Sequence, residues 1–251
     1  MNKNISEKQH NIEIHCNLES WKKKPVLQKV YLTFYNQIKN HINHHVEGKL
    51  VEIGSGAGNL KTVVKDVICT DLFPNPWIDQ VENAYQLSFN NEEISNIILF
   101  DVFHHLEYPG NAFDEFHRVL KNEGRLIIFE PDLSILGMLV YGAFHHEPVK
   151  AFSEIKWKTN DKTNLLFSGY YSAQGNAHRM FLRRKYKKYF KDWNIISIKR
   201  LAAISYIFSG GYSKPQLIPD VLFKFLFKTD RILSHLPFLF STRLLVVLEK
   251  T

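Results

Sequence analysis

Two hydrophobic periodicities succeed one another along this chain. Over residues 21–45, apolar side chains recur every three or four positions, at Val26, Val30, Leu32, Tyr35, Ile38 and Ile42, the spacing of one helix face. The region reads as one or two helices lying over a sheet edge, and residues 1–18 before it read as a polar, loosely held tail. Short apolar runs then replace the helical spacing. Leu50, Val51 and Ile53 form a first strand, residues 59–65 leave room for a short helix only, and residues 67–70 form a second strand ending at Asp71. A third strand falls within residues 77–82, and residues 94–100 read as a buried fourth. Residues 110–121 predict an amphipathic helix with Ala112, Phe113, Phe116, Val119 and Leu120 on one face. Asn122, Glu123 and Gly124 close it, and residues 125–131 make a fifth strand. Strand alternating with helix predicts an α/β fold with a parallel, doubly wound sheet.

The first strand carries the most informative loop. Glu52 precedes three alternating glycines, Gly54, Gly56 and Gly58. Glycine is needed where backbone turns sharply or presses on a ligand, because it has no Cβ to collide. A dinucleotide fingerprint spaces its glycines as G-x-G-x-x-G, whereas here the third glycine arrives one residue early and Asn59 follows. A carboxylate beside the loop would repel a pyrophosphate and welcome an ammonium or a sulfonium. The pattern thus suits S-adenosylmethionine (SAM) better than NAD, although three close glycines also fit a plain turn. Asp71 falls seventeen residues after Gly54, near the ~20-residue offset of an acid that grips a ribose. It also fits as the cap of a turn before Pro74.

The runs VEIGSGAG, NAYQLSF, ILFDVFHHL and EFHRVLKNEGRLIIFEP occur in order, with Asp71 between the first two. Together, over residues 48–132, they resemble a class I SAM-dependent methyltransferase of the methyltransferase-11 type, the group that includes quinone-biosynthesis enzymes. The resemblance implies a Rossmann-like, doubly wound, seven-stranded sheet, mostly parallel with an antiparallel last strand, plus a helical cap. Residues 193–199 and 243–249 are the natural final hairpin. Residues 1–47 would then be an N-terminal tail and cap helices. Residues 48–251 would be the methyltransferase domain, with an insertion at about 202–241 roofing the acceptor site. It further implies a SAM site in which Gly54, Ser55, Gly56 and Gly58 approach the methionine part and Glu52 its ammonium. Asp71 and Leu72 would meet the ribose, Asn83 and Ala84 the adenine, and Asp101 the methyl end. The family usually has Asp where this chain has Asn83; an amide oxygen accepts the same hydrogen bond without the charge.

Methyl transfer to a hydroxyl requires a group that removes a proton. His104 and His105 follow the fourth strand directly and suit a general base near neutral pH, but they also fit as packing against the cofactor or as a turn cap. A second cluster, Tyr141 with His145, His146 and Glu147, follows the fifth strand where such folds line the acceptor pocket. These histidines and Glu147 would supply a base and its orienting carboxylate, with Tyr141 and Glu147 touching substrate, or would simply end a helix before Pro148. No metal site is expected, because adjacent histidines on a helix do not face one point. The reading is a methyltransferase acting on a small-molecule, lipid-linked or glycan-precursor acceptor, by O-methylation with a histidine base.

Composition refines this picture. At 251 residues and 45% apolar content the chain suits one sizeable domain. Cys16 and Cys69 are no disulfide framework, and the N-terminus has no signal-peptide core, so a cytoplasmic setting is expected. The longest uncharged apolar run, residues 133–144, is too short to cross a bilayer. A net charge of +7 favours anionic neighbours. Residues 180–190 predict a basic helix with interleaved aromatics, in which a solvated face outweighs phosphate contact. A nucleic-acid (RNA) methyltransferase is a rival reading, disfavoured because residues 101–104 lack the Asn/Asp-Pro-Pro-aromatic motif. A non-catalytic binding module is another. Within residues 217–240, Lys224, Lys228 and Arg231 share a helical stripe opposite Val221, Leu222, Phe225, Leu226 and Leu233. That is the pattern of a lid packed over a pocket, the favoured reading, and also of an interfacial helix at the inner face of a membrane.

Overall fold

Strands buried on both faces read as continuous apolar runs rather than as alternation, and this is how the centre of the sheet is written. The computed structural model describes residues 7–144, 149–151, 153–161, 163, 165 and 171–251. Among them, one seven-stranded sheet comprises β1 (Lys49–Ile53), β2 (Val67–Asp71), β3 (Gln80–Val81), β4 (Ile94–Phe100), β5 (Leu120–Pro131), β6 (Trp193–Ala202) and β7 (Ser241–Lys250). Its order is β3-β2-β1-β4-β5-β7-β6. The pairs from β3 to β5 are parallel, and β7 runs antiparallel to both β5 and β6. The doubly wound sheet with its antiparallel last strand is therefore as expected. Ile97, Ile98 and Leu99 of β4 and Leu244 to Leu248 of β7 are fully buried.

Each face of the sheet has its own core. On one, α3 (Pro109–Val119) packs Phe113 and Phe116 against Ile97, Leu126 and Val246, joined by Phe181 from α5 (Asn176–Leu182). On the other, α2 (Pro25–Lys39) sets Val26, Val30, Phe34 and Ile38 against Ile98, Ile127, Phe129 and Val247. Pro25 starts α2, where a missing N–H costs nothing.

Three expectations change. Residues 7–18 of the expected loose tail belong instead to α1 (Glu7–Lys23). Only Ile14 of α1 is buried, so an apolar count cannot find it; polar contacts tie it down, as where Asn11 Nδ2 donates to Pro74 O at 3.1 Å. The basic segment 180–190 is split: α5 ends at Leu182, extended Arg183 follows, and a 3-10 segment spans Arg184–Phe190 with Tyr186 and Phe190 buried and its cations exposed. β5 starts at Leu120, because Leu120 already pairs with Ile94 before a register shift brings Arg125 opposite Asn96.

Between β6 and β7 lie α6 (Ile204–Ser209), a 3-10 turn (Asp220–Leu222), α7 (Phe223–Leu233) and α8 (Pro237–Phe240). α4 (Ile135–Phe144) follows β5. No helix of the described residues is long and apolar enough to cross a membrane.

The loop after α2 is fastened to the sheet by two buried amides: Asn43 N donates to Asn96 Oδ1 at 2.8 Å, and Asn96 Nδ2 donates to Asn43 O at 3.1 Å. Asn96→Leu strands both Asn43 groups in an apolar setting and should lower stability by about 1–3 kcal/mol, read as a lower urea midpoint with an unchanged slope.

Candidate active site

The glycine loop turns from β1 toward β2 with all three glycines at positive φ. A Cβ on Gly54 would lie 2.4 Å from Val102 Cγ2, and one on Gly58 would lie 2.8 Å from Trp77 O. Those two glycines are fixed by their neighbours. Gly56, at φ 54°, has nothing within 4 Å of its Cβ position, so its backbone is where a ligand has room to approach. Ser55 N donates to Thr70 O at 2.7 Å and Thr70 N to Ser55 Oγ at 3.1 Å, so Ser55 braces the two strand tips.

Asp71 closes β2 next to this opening. Its Oδ2 accepts from Gly56 N at 2.9 Å and its Oδ1 from Leu72 N at 2.7 Å. The Leu72 side chain is exposed. His10 of α1 also lies here, with Nε2 3.2 Å from Asp71 Oδ1. The bond to Asp71 raises the His10 pKa against the opposing effect of burial. His10 gave no sequence signal, since only the docking of α1 brings it to Asp71. An open Gly56 backbone beside a fixed carboxylate fits the ribose and methionine parts of SAM.

Glu52 lies on β1, 4% exposed, with Cys69 Sγ of β2 3.7 Å from its Oε2. Burial pushes its carboxyl up to about 7, beyond what hydrogen bonds from Ser55 and Cys69 offset. It is an acid that an approaching cation would ionise. Asn83 accepts from Tyr85 N at 2.9 Å and donates to Leu165 O at 3.1 Å. Its amide thus shapes the turn around buried Ala84, with one lone pair of the oxygen remaining for an adenine amine.

At the tip of β4, Asp101 adopts φ 55°, a strained backbone for a residue with a side chain. Its N donates to Phe129 O at 2.9 Å, and its Oδ1 lies 2.5 Å from Arg243 Nη1. His104 follows, 3% exposed, with Nδ1 2.7 Å from Glu130 Oε2. Glu130 also accepts from Phe103 N at 2.7 Å. The two imidazole centroids of His104 and His105 are 4.1 Å apart, and His105 Nδ1 meets Tyr171 O at 2.9 Å.

Glu130 was missed in the sequence, although an acid near the end of an apolar strand is itself a signal. A second cluster was also missed: buried Asp132 lies 2.5 Å from His178 Nδ1 and 2.7 Å from Arg200 Nε. Burial opposes ionisation of Asp132, but His178, Ser241 and Arg200 outweigh it and hold the carboxyl below its usual range. Tyr141 is buried, its hydroxyl donating to Thr242 O at 2.6 Å, which places it in the packing of α4 on β7. His145, His146 and Glu147 lie outside the described residues.

Comparison with known proteins accords with this geometry. Residues 51–128 match the family described as a methyltransferase domain. No sequence among the curated proteins matches the chain. Many solved structures share the fold, two of them as follows. Geranyl diphosphate C-methyltransferase from Streptomyces coelicolor A3(2), with Mg2+, geranyl diphosphate and S-adenosyl-L-homocysteine, aligns at TM-score 0.54 and 14% identity over 89% of this chain and 80% of that one. A SAM-dependent methyltransferase from Thermotoga maritima, titled a possible histamine N-methyltransferase, aligns at TM-score 0.56 and 17% identity over 96% of this chain and 99% of that one. At such identities the likeness is one of fold.

Glu52 makes stability depend on pH with a definite sign. Its carboxyl keeps a proton to about 7 when folded but only to about 4.5 when unfolded. The folded state therefore binds the extra proton between these values, and stability falls as pH rises through them. Glu52→Gln should flatten the fall of melting temperature between about pH 5 and 8, with its largest gain over the parent at the alkaline end. Parallel curves for the two proteins would contradict the assignment.

Proposed function

We propose that this chain, whose residues 51–128 match a methyltransferase domain, is a SAM-dependent methyltransferase that methylates a hydroxyl oxygen using His104 as general base. The observation that carries this reading is the buried His104–Glu130 pair at the tips of β4 and β5, following Asp101. The bound SAM supplies a methyl group already activated by its sulfonium. Gly54, Gly56 and Gly58 leave backbone room for it, Asp71 binds its ribose hydroxyls, and Glu52 answers its positive charge. Asn83 and Ala84 border the adenine, and Asp101 lies toward the methyl end.

Glu130 at Nδ1 selects the tautomer in which Nε2 of His104 is the basic nitrogen. In this reading Nε2 takes the acceptor's hydroxyl proton as its oxygen is methylated, and Glu130 remains ionised to stabilise the imidazolium. Phe103 N, donating to the other oxygen of Glu130, keeps the carboxylate in place. Residues 1–47 and the insertion at about 202–241 serve as the cap. Support comes from the rings that meet there: Tyr31 of α2 lies 5.2 Å from Tyr212, 6.2 Å from Tyr206 and 5.4 Å from Phe100 at the end of β4. An aromatic cover of this kind excludes water from the transfer.

The acceptor is a small molecule, a lipid-linked intermediate or a glycan precursor. The lipid-linked form accords with the apolar cap, and with it residues 217–240 would meet the inner face of a membrane. Geranyl diphosphate, bound in the Streptomyces structure, is a small molecule with an apolar chain of this kind.

His104→Ala and Glu130→Gln should each lower turnover, by about 10²- to 10⁴-fold for the histidine. SAM affinity measured by calorimetry should stay unchanged in both. Full turnover in a protein lacking both His104 and His145 would remove the general-base reading.

A further inference from the structure

α7 shows two neighbouring stripes to solvent. Phe225 and Ile232, seven residues apart and so on one helix face, are 68% and 60% exposed. Val221 before the helix and Leu236 after it are exposed as well. Lys224, Lys228 and Arg231 form a basic row along the adjacent side, all exposed. The helix is not free to roll its apolar row inward. Its opposite side holds Leu226 in the core and Asp230 buried, where Asp230 accepts from Ile204 N at 2.6 Å and from the Ser205 hydroxyl. Leu226 thus faces inward, while Val221, Leu222 and Phe225 of the expected lid remain outside.

The apolar row continues through Phe238, 70% exposed, on α8. α8 packs against α4, and Ser134 Oγ donates to Leu239 O at 3.2 Å. On α4, Ile135, Met138 and Leu139 are exposed at helical spacing, and α4 carries no charged residue. Charge around this face has one sign. Over residues 214–240 the acids are Asp220, 2.6 Å from Lys29, and buried Asp230, whereas Lys214, Lys224, Lys228 and Arg231 are exposed.

We propose that α4, α7 and α8 form a surface that docks on membrane containing anionic lipid. This deepens, and for its biological sense rests on, the reading of a lipid-linked acceptor. Apolar side chains flanked by lysines bury into the boundary of headgroup and acyl chain while the cations meet anionic headgroups. A second copy of this chain is a poor occupant, because a two-fold contact would set one basic row near the other. The surface also adjoins the acceptor end of the site: α4 begins just after Asp132, whose carboxylate accepts from the Ser241 hydroxyl where α8 passes into β7.

The test is flotation of the full chain with phosphatidylcholine vesicles, with and without about one-third phosphatidylserine. Binding should require phosphatidylserine and weaken at about 0.5 M salt. Phe225→Ser with Phe238→Ser, and separately Lys224→Glu with Lys228→Glu, should each reduce binding at least about tenfold. Their melting temperature and SAM affinity should be unaltered. The proposal is overturned if SAM-binding protein ignores both vesicles, if the variants bind as the parent does, or if Phe225→Ser instead abolishes self-association. Vesicle binding without methylation of any lipid-linked acceptor would uphold the surface and remove the acceptor reading alone.

Discussion

The ion pair of Arg243 with Asp101 is the contact on which the ligand end of the sheet depends. A guanidinium 2% exposed is costly to bury unless paired and held. Here it has Asp101 at one edge and aromatic faces around it, with ring centroids of Tyr206 and Phe34 at 4.6 and 5.3 Å. Those rings come from the insertion and from α2, so one cation joins both parts of the cap to the tip of β4. Its position follows from strand direction. β7 runs against its neighbours, and its first residues therefore arrive where the parallel strands end.

Carboxylates at strand ends give this region its character, and several have a histidine for a partner. Asp71 at the end of β2 meets His10, Glu130 meets His104, and Asp132 meets His178. The pairs differ in setting. His104 and Glu130 are both buried, an arrangement that fixes a tautomer. Asp132 shares itself with Arg200 and the Ser241 hydroxyl, and so ties β5 to β6 and β7. Asp71 is held by two backbone N–H groups, which set the carboxylate at the mouth of the glycine loop before any ligand arrives.

The short connection between β1 and β2 has a structural consequence. A 3-10 turn, Asn59–Thr62, stands there in place of a full helix. The sheet face above it is covered by α2 and by residues inserted after β6, including Tyr206 and Tyr212. Chain segments remote from the glycine loop are thereby drawn over it. The polar bonds follow the same route: Ser20 Oγ of α1 donates to Tyr212 O at 2.8 Å, and Lys24 Nζ donates to Gly211 O at 2.7 Å.

Local signals were enough for much of this. Apolar runs ending in glycine or aspartate marked β1, β2 and β4, the spacing of Phe113 and Phe116 marked α3, and the alternating glycines marked the turn after β1. His104 was legible because it follows β4 directly. Other features had no local signature. α1 has one buried residue, and the Asp132–His178–Arg200 cluster joins residues as far as 68 positions apart. Glu52 could be read as an acid near a cation, but not as one whose burial raises its pKa. The sequence by itself determined where the first strands fall along the chain and where the glycine turn after β1 lies, since both follow from hydrophobic period and glycine geometry within a few residues. Only the tertiary structure decided which carboxylate serves which histidine and which apolar side chains of α7 stay outside, because pairing and burial depend on surfaces that meet after the chain has folded.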